Sequence, residues 1–238
     1  MTGMQNPLLY TYRRCPYAMR ARMALIIADM AFDAHEVSLR DKPSDMLALS
    51  PKGSVPVMLL PSGQVLEQSW DIMHWALTQQ GASDWWVGAQ TDENRKWLAK
   101  NDGDFKHHLD RYKYPERYEN SDRNIYRVEA LQTFLLPLNA RLEITRFLGG
   151  EQPCAMDIAI FPFVRQFAGV EPDWFTQQTM PALKTWLHNW LSSALFLHCM
   201  HKIPSQTTVG FPARDDPELH HDKICSVHRE STGCRKFS

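Results

Sequence analysis

Leu8-Leu9-Tyr10-Thr11-Tyr12-Arg13-Arg14-Cys15-Pro16-Tyr17-Ala18 is the stretch on which the fold turns. The run from Leu8 to Tyr12 is short, apolar and aromatic, and reads as a buried strand stopped by Arg13-Arg14. From Pro16 the period changes. Ala18, Ala21, Leu25 and Ala28 recur at three- and four-residue spacing, with Arg20, Arg22 and Asp29 elsewhere on the wheel. That pattern predicts an amphipathic helix whose small alanines pack close to a sheet. Cys15 then occupies the N-cap and Pro16 the first helical position, where a missing N–H costs nothing.

Working outward, His35 to Leu39 reads as a second strand and Ser44 to Leu49 as one or two helical turns, broken by Ser50-Pro51-Lys52-Gly53. Val55 to Leu60 is a third strand, joined by the turn Pro61-Ser62-Gly63-Gln64 to a short fourth, Val65-Leu66, as an antiparallel hairpin. A helix begins at Ser69. The order β-α-β-α-β-β-α fits one sheet with helices on both faces, an α/β domain over residues 1–80. Residues 81–90 read as a linker anchored by Trp85 and Trp86. Beyond it the strand signals stop. Asp92 to Tyr112, Asp122 to Leu148, Ala155 to Ala168 and Pro181 to His201 carry helical periodicity, with Pro137 and Pro162 expected to kink or split two of them. Residues 91–202 are therefore expected to be an all-α domain. Residues 203–238 hold few large apolar side chains and are expected to form a disordered tail.

The chain has 238 residues, 44% hydrophobic and 22% charged, enough for ordinary cores in two small domains. A formal net charge of −1 gives no overall basic field for nucleic acid, so any functional charge must be local. No long apolar run and no basic-then-apolar leader is present, which predicts a cytoplasmic protein without a membrane partner. Five cysteines, widely spread and without a C-x-x-C pair, argue against a disulfide framework or a zinc ribbon. His198, Cys199, His201, His220, His221, Cys225, His228 and Cys234 do not repeat a compact ligand spacing, and no metal is expected.

Cys15 is the candidate nucleophile. A thiol at a helix N-terminus meets unpaired amides and the positive end of the helix dipole, and Arg13, Arg14, Arg20 and Arg22 add cationic charge nearby. On that basis its pKa is expected to be depressed.

The segment Leu9 to Ala18 resembles the start of the thioredoxin-like domain of cysteine-type glutathione transferases, the omega-like and glutaredoxin-like members, which place Cys-Pro-aromatic-Ala there. The resemblance implies the glutathione transferase fold, a thioredoxin-like domain followed by a helical bundle, with glutathione as co-substrate and no metal. Ala18 stands where glutaredoxins often carry a second Cys, so a monothiol cycle with external glutathione is implied. His35 to Pro43 resembles the strand and loop whose lysine, here Lys42, meets the glycine end of glutathione. Gly53-Ser54-Val55-Pro56 resembles the cis-proline loop whose preceding residue, here Val55, pairs with the cysteinyl backbone. Glu67-Gln68-Ser69 resembles the pair, here Gln68 and Ser69, that holds the γ-glutamyl group, with Ser69 and adjacent N–H groups on its carboxylate. Pro153 to Ile160 resembles the capping segment of the helical domain, with Asp157 in the capping-box position and Cys154 as a weak N-cap.

Tyr17, Tyr112 and Tyr114 are the candidates for a second-substrate pocket, the last two in a polar, aromatic stretch able to line a cleft. The implied function is thiol transfer through a Cys15 mixed disulfide with a small electrophilic or oxidised substrate, and the family's habit implies a homodimer. The alternative is a non-catalytic, transferase-like binding protein, which fold alone would permit.

Overall fold

The computed structural model describes residues 5–79, 81–119 and 122–211. Its first half runs β1 (Leu8–Thr11), α1 (Pro16–Ile27), β2 (Phe32–Glu36), α2 (Ser44–Leu49), β3 (Val57–Leu59), β4 (Val65–Leu66) and α3 (Ser69–Leu77). β2 lies parallel to β1, β3 pairs antiparallel with β1, and β4 pairs antiparallel with β3. Alternation sorts the side chains. Leu9, Ala34 and Met58 face the main core shared with α1 and α3, while Tyr10 and Val57 join Val37 and Met46 on the face covered by α2. This is the thioredoxin-like sheet that the resemblance implied.

Two local readings are corrected. β2 starts three residues earlier than predicted, because Phe32 and Ala34 fill the core and fix the register. α1 is not amphipathic: every residue from Ala18 to Ile26 is buried, Arg20 and Arg22 included. The helix is sandwiched between α3 and the helical domain, so its charged face meets protein.

The second half is helical. α4 (Ser83–Gly88) occupies the predicted linker, with the Trp86 ring tilted against Trp70 at 4.7 Å and Trp85 beside Trp190. It is followed by α5 (Asp92–Lys100), a π-helical segment (Asn101–Phe105), α6 (Lys106–Lys113), a 3₁₀ turn (Pro115–Arg117), α7 (Arg123–Ala130), a second π-helical segment (Leu131–Leu135) and α8 (Leu136–Ile144). The bundle closes with α9 (Ala155–Ala168), α10 (Pro172–Gln177), α11 (Pro181–Leu191) and α12 (Ala194–Cys199). The disturbance expected at Pro137 takes the form of the π-helical segment just before it. α9 runs through Pro162 as one helix.

The predicted tail begins with structure. β5 (Thr208–Phe211) pairs antiparallel with β2, giving the sheet order β4-β3-β1-β2-β5. The preceding residues are tied down as well: Gln206 N–H donates to Glu36 O at 2.7 Å, and its side-chain amide donates to Asp41 O at 2.7 Å. A four-residue strand with two large apolar residues carries little local signal; the open edge of β2 supplies the missing partners. The rest of the predicted tail, residues 212–238, lies outside the described residues. Phe211 is 2% exposed and packs 5.1 Å from the Phe32 ring. Phe211→Ala should therefore cost about 3 kcal/mol, read as a drop in denaturation midpoint. An unchanged midpoint would mean that β5 contributes nothing to the sheet.

Candidate functional site

Strand β1 ends at Thr11 and α1 starts at Pro16, leaving Cys15 in extended backbone at the N-cap. Its side chain is half-buried, and the thiol donates to Val55 O across 3.7 Å. The Val55-Pro56 peptide is cis. Gly53, two residues upstream with φ +60°, is bare where a Cβ would lie 3.3 Å from Lys42 Nζ. The same loop is tied to the next predicted segment: Ser50 Oγ donates to Glu67 Oε1 at 2.5 Å, and Lys52 Nζ donates to Glu67 O at 3.2 Å. The Ser50 hydroxyl, with help from Lys52, holds the Glu67 carboxyl below its ordinary range. Gln68 is the exposed N-cap of α3 and Ser69 its buried first residue. Ser50, Lys52 and Glu67 thus tie the loop before β3 to the one before α3, two segments that sequence reasoning treated separately. Glu67 stood in the segment that carries the resemblance, whereas Ser50 and Lys52 were read only as part of a helix-breaking turn.

The electrostatics differ from expectation. Burial pushes the Cys15 thiol above its ordinary range; the backbone N–H groups of Ala18 and Tyr17, then Arg22 and Lys106, oppose this without reversing it. The arginines of the motif are engaged elsewhere. Arg20 is 0% exposed and donates to Asp102 Oδ1 and Oδ2 at 2.6 and 2.9 Å and to Ala159 O at 2.7 Å. Arg22 donates to Thr11 Oγ1, Arg13 O and Cys199 O. Arg14 donates to the Tyr12 hydroxyl at 2.7 Å. Arg20 and Arg22 therefore fasten α1 to the helical domain instead of clustering on the sulfur.

The three tyrosines separate. Tyr17, next to Cys15, is half-buried, edge-on to Phe163 at 4.9 Å, and burial pushes its hydroxyl up to about 12. Tyr114 is half-buried beneath the Arg117 guanidinium at 4.0 Å. Tyr112 is only 1% exposed, and its hydroxyl donates to Glu171 Oε2 at 2.8 Å inside the helical domain. The polar, aromatic stretch that made it a candidate forms α6, which turns this side chain inward. At the start of α9, Asp157 accepts from Cys154 N–H, Leu148 N–H and Trp186 Nε1–H, each within 3.0 Å. Burial pushes the Cys154 thiol far up, consistent with an inert, structural sulfur. His198 and Cys199 sit buried on α12, and the described residues contain no group of three His, Cys, Asp or Glu able to hold a metal. No described helix is long and apolar enough to cross a membrane.

Comparison with known proteins agrees with this geometry. Residues 14–79 match the glutathione S-transferase N-terminal domain family. A probable glutathione transferase from Aplysia californica is 42% identical over 55 residues, an alignment spanning 23% of this chain and 60% of that protein. Among solved structures, a glutathione transferase family member from Pseudomonas fluorescens with two glutathione bound superposes with a TM-score of 0.67 at 19% identity, over 82% of this chain and 92% of that one. A glutathione transferase from Pseudomonas putida with glutathione disulfide bound superposes at 0.66 and 22% identity, over 86% and 94%. Residues 14–79 are therefore similar to the glutathione S-transferase N-terminal domain family, and the chain shares the fold of the solved glutathione transferases, a thioredoxin-like sheet followed by a helical domain.

Proposed function

We propose that this chain is a glutathione-dependent thiol transferase that works through Cys15. The observation that carries the reading is the placement of a lone sulfur at the N-terminus of α1, 3.7 Å from Val55 O, beside a loop on which Lys42 is already folded. The Cys15 thiolate attacks the glutathionyl sulfur of a mixed disulfide, forming Cys15–S–SG and expelling the other thiolate, which takes a proton from water. A glutathione thiolate then attacks that same glutathionyl sulfur, releasing glutathione disulfide and restoring Cys15. The substrate disulfide gains two electrons and the glutathione pair loses two.

Lys42 would meet the glycine carboxylate, the Val55 backbone the cysteinyl backbone, and Gln68 with Ser69 the γ-glutamyl group. Ser69 Oγ makes no hydrogen bond among the described residues and sits in the first turn of α3, where free N–H groups favour a carboxylate. Lys42→Ala and Ser69→Ala should each weaken glutathione binding by roughly 1.5 to 3 kcal/mol, the worth of a charge-assisted hydrogen bond. Wild-type affinity in both variants by calorimetric titration would remove them from the site.

The raised thiol of Cys15 sets the pH dependence. Since the thiolate is the nucleophile and burial disfavours it, thiol exchange should climb steadily with pH through neutrality and beyond the ordinary thiol range. A rate already level between pH 6 and pH 8 would mean that the thiolate is stabilised in the cleft. The raised pKa also favours a second reading, in which Cys15 keeps its proton and donates a hydrogen bond to a glutathione thiolate that attacks an electrophile. Steady-state assays with a mixed disulfide and with a chloronitrobenzene separate the two: exchange without conjugation supports thiol transfer, and the reverse supports the second.

A further inference from the structure

We propose that a cavity of about 670 Å³ next to the Cys15 loop binds an anionic co-substrate, a small organic acid with more than one negative charge. The inference rests on the thiol-transfer reading and names the class of substrate that the same centre accepts.

The cavity is walled by the β1–α1 loop, the residues after β2, Arg117 of the 3₁₀ turn and the segment 202–205 that leads into β5. Arg13, Arg14, Arg40, Arg117 and Lys202 contribute five cationic side chains, and Glu36 is the one acid among its lining residues. Glu36 is already engaged, since both of its oxygens accept the Arg13 backbone N–H, at 2.9 and 3.1 Å. The cations are less satisfied. Arg117 approaches Glu116 no nearer than 3.8 Å, and Arg13, Arg14, Arg40 and Lys202 form no ion pair among the described residues. A chain of net charge −1 has therefore gathered a local positive excess into one concavity, a setting that favours an anion. The volume is that of a small-molecule site.

Position links the cavity to the chemistry. Tyr12, Arg13 and Arg14 line it and lead directly into Cys15, whose N–H donates to Tyr12 O at 3.0 Å. In the sheet, β3 and β2 flank β1 on opposite sides. Val55, just ahead of β3, lies on one flank, and the cavity, at the end of β2, lies on the other. A mixed disulfide poised at Cys15 needs this division, with its glutathionyl half toward Val55 and its leaving half toward the arginines. Pairing of β5 with β2 and the Gln206 bonds hold the 202–205 wall in place.

The test compares two substrates that differ in charge, the mixed disulfides of glutathione with mercaptosuccinate and with 2-mercaptoethanol. Wild-type kcat/KM should favour the mercaptosuccinate disulfide roughly tenfold at low salt, and the ratio should shrink as salt screens the site. In Arg40→Gln/Lys202→Gln, both exposed positions, the ratio should fall toward one. A wild-type ratio near one, or a ratio the double variant leaves unchanged, would overturn the anion site while leaving thiol transfer intact. Should neither disulfide turn over, thiol transfer fails, and calorimetric titration with mercaptosuccinate still decides the cavity: binding roughly tenfold weaker in the double variant supports the site, and equal or undetectable binding in both proteins overturns it.

Discussion

Cys15→Ser is expected to lower glutathione-dependent disulfide exchange by roughly three orders of magnitude or more while leaving the melting temperature nearly unchanged. The two effects separate because the side chain is a reactant and carries little of the packing. Cys15 is half-buried, and its side-chain bond to Val55 O can be made as well by a hydroxyl. A serine oxygen can donate to that carbonyl, or to a bound glutathione thiolate, but cannot enter a disulfide. The variant should therefore still bind glutathione, and any conjugating activity should survive or increase. Full exchange activity in this variant would remove Cys15 from the reaction.

The largest effect on stability is expected at Asp157, at the other end of the molecule's logic. Its carboxylate is fully buried and accepts from three donors: Oδ1 from Leu148 N–H at 3.0 Å and Trp186 Nε1–H at 2.9 Å, Oδ2 from Cys154 N–H at 3.0 Å. It thereby joins the start of α9 to the loop before it and to α11. Asp157→Ala leaves all three donors without a partner and opens a small void, which should cost about 4 kcal/mol, or roughly 8 to 16 °C in a protein of this size. Asp157→Asn retains one acceptor oxygen and turns an NH₂ toward a donor, so it should cost about half as much. Equal melting temperatures for the alanine variant and the wild type would show that this network is not what holds the two helices together.

The sequence was most readable where chemistry and local geometry coincide. A strand that stops at Arg13-Arg14, followed by Cys15-Pro16 and a change from period 2 to period 3.6, leaves few folds open. The loops at Lys42, Val55 and Ser69 follow in order, and in the structure Lys42 lies against Gly53, Cys15 bonds Val55 O, and Ser50 ties the same loop to Glu67, two residues ahead of Ser69. What was missed depends on distant partners. Arg20 looked like a solvated charge because its acceptor, Asp102, lies 82 residues away on a π-helical segment. With Arg20 and Arg22 drawn into the domain interface, the cationic field expected at the sulfur is weaker and burial prevails. The inward turn of Tyr112 was hidden for a related reason: a polar, aromatic composition does not say which face of α6 meets Glu171. β5 was invisible because four residues acquire their strand character from the edge of β2, more than 170 residues earlier in the chain. That docking converts part of an expected tail into a wall of the basic cavity.

The central claim is that Cys15 exchanges its thiol with glutathione, and it is tested most directly by incubating the full-length protein with glutathione disulfide and analysing its peptides by mass spectrometry. The Cys15 peptide should gain one glutathionyl group and lose it again on addition of reduced glutathione, while the peptides containing the buried Cys154 and Cys199 stay unmodified. An unmodified Cys15, or glutathionylation that reduced glutathione cannot reverse, would contradict the account.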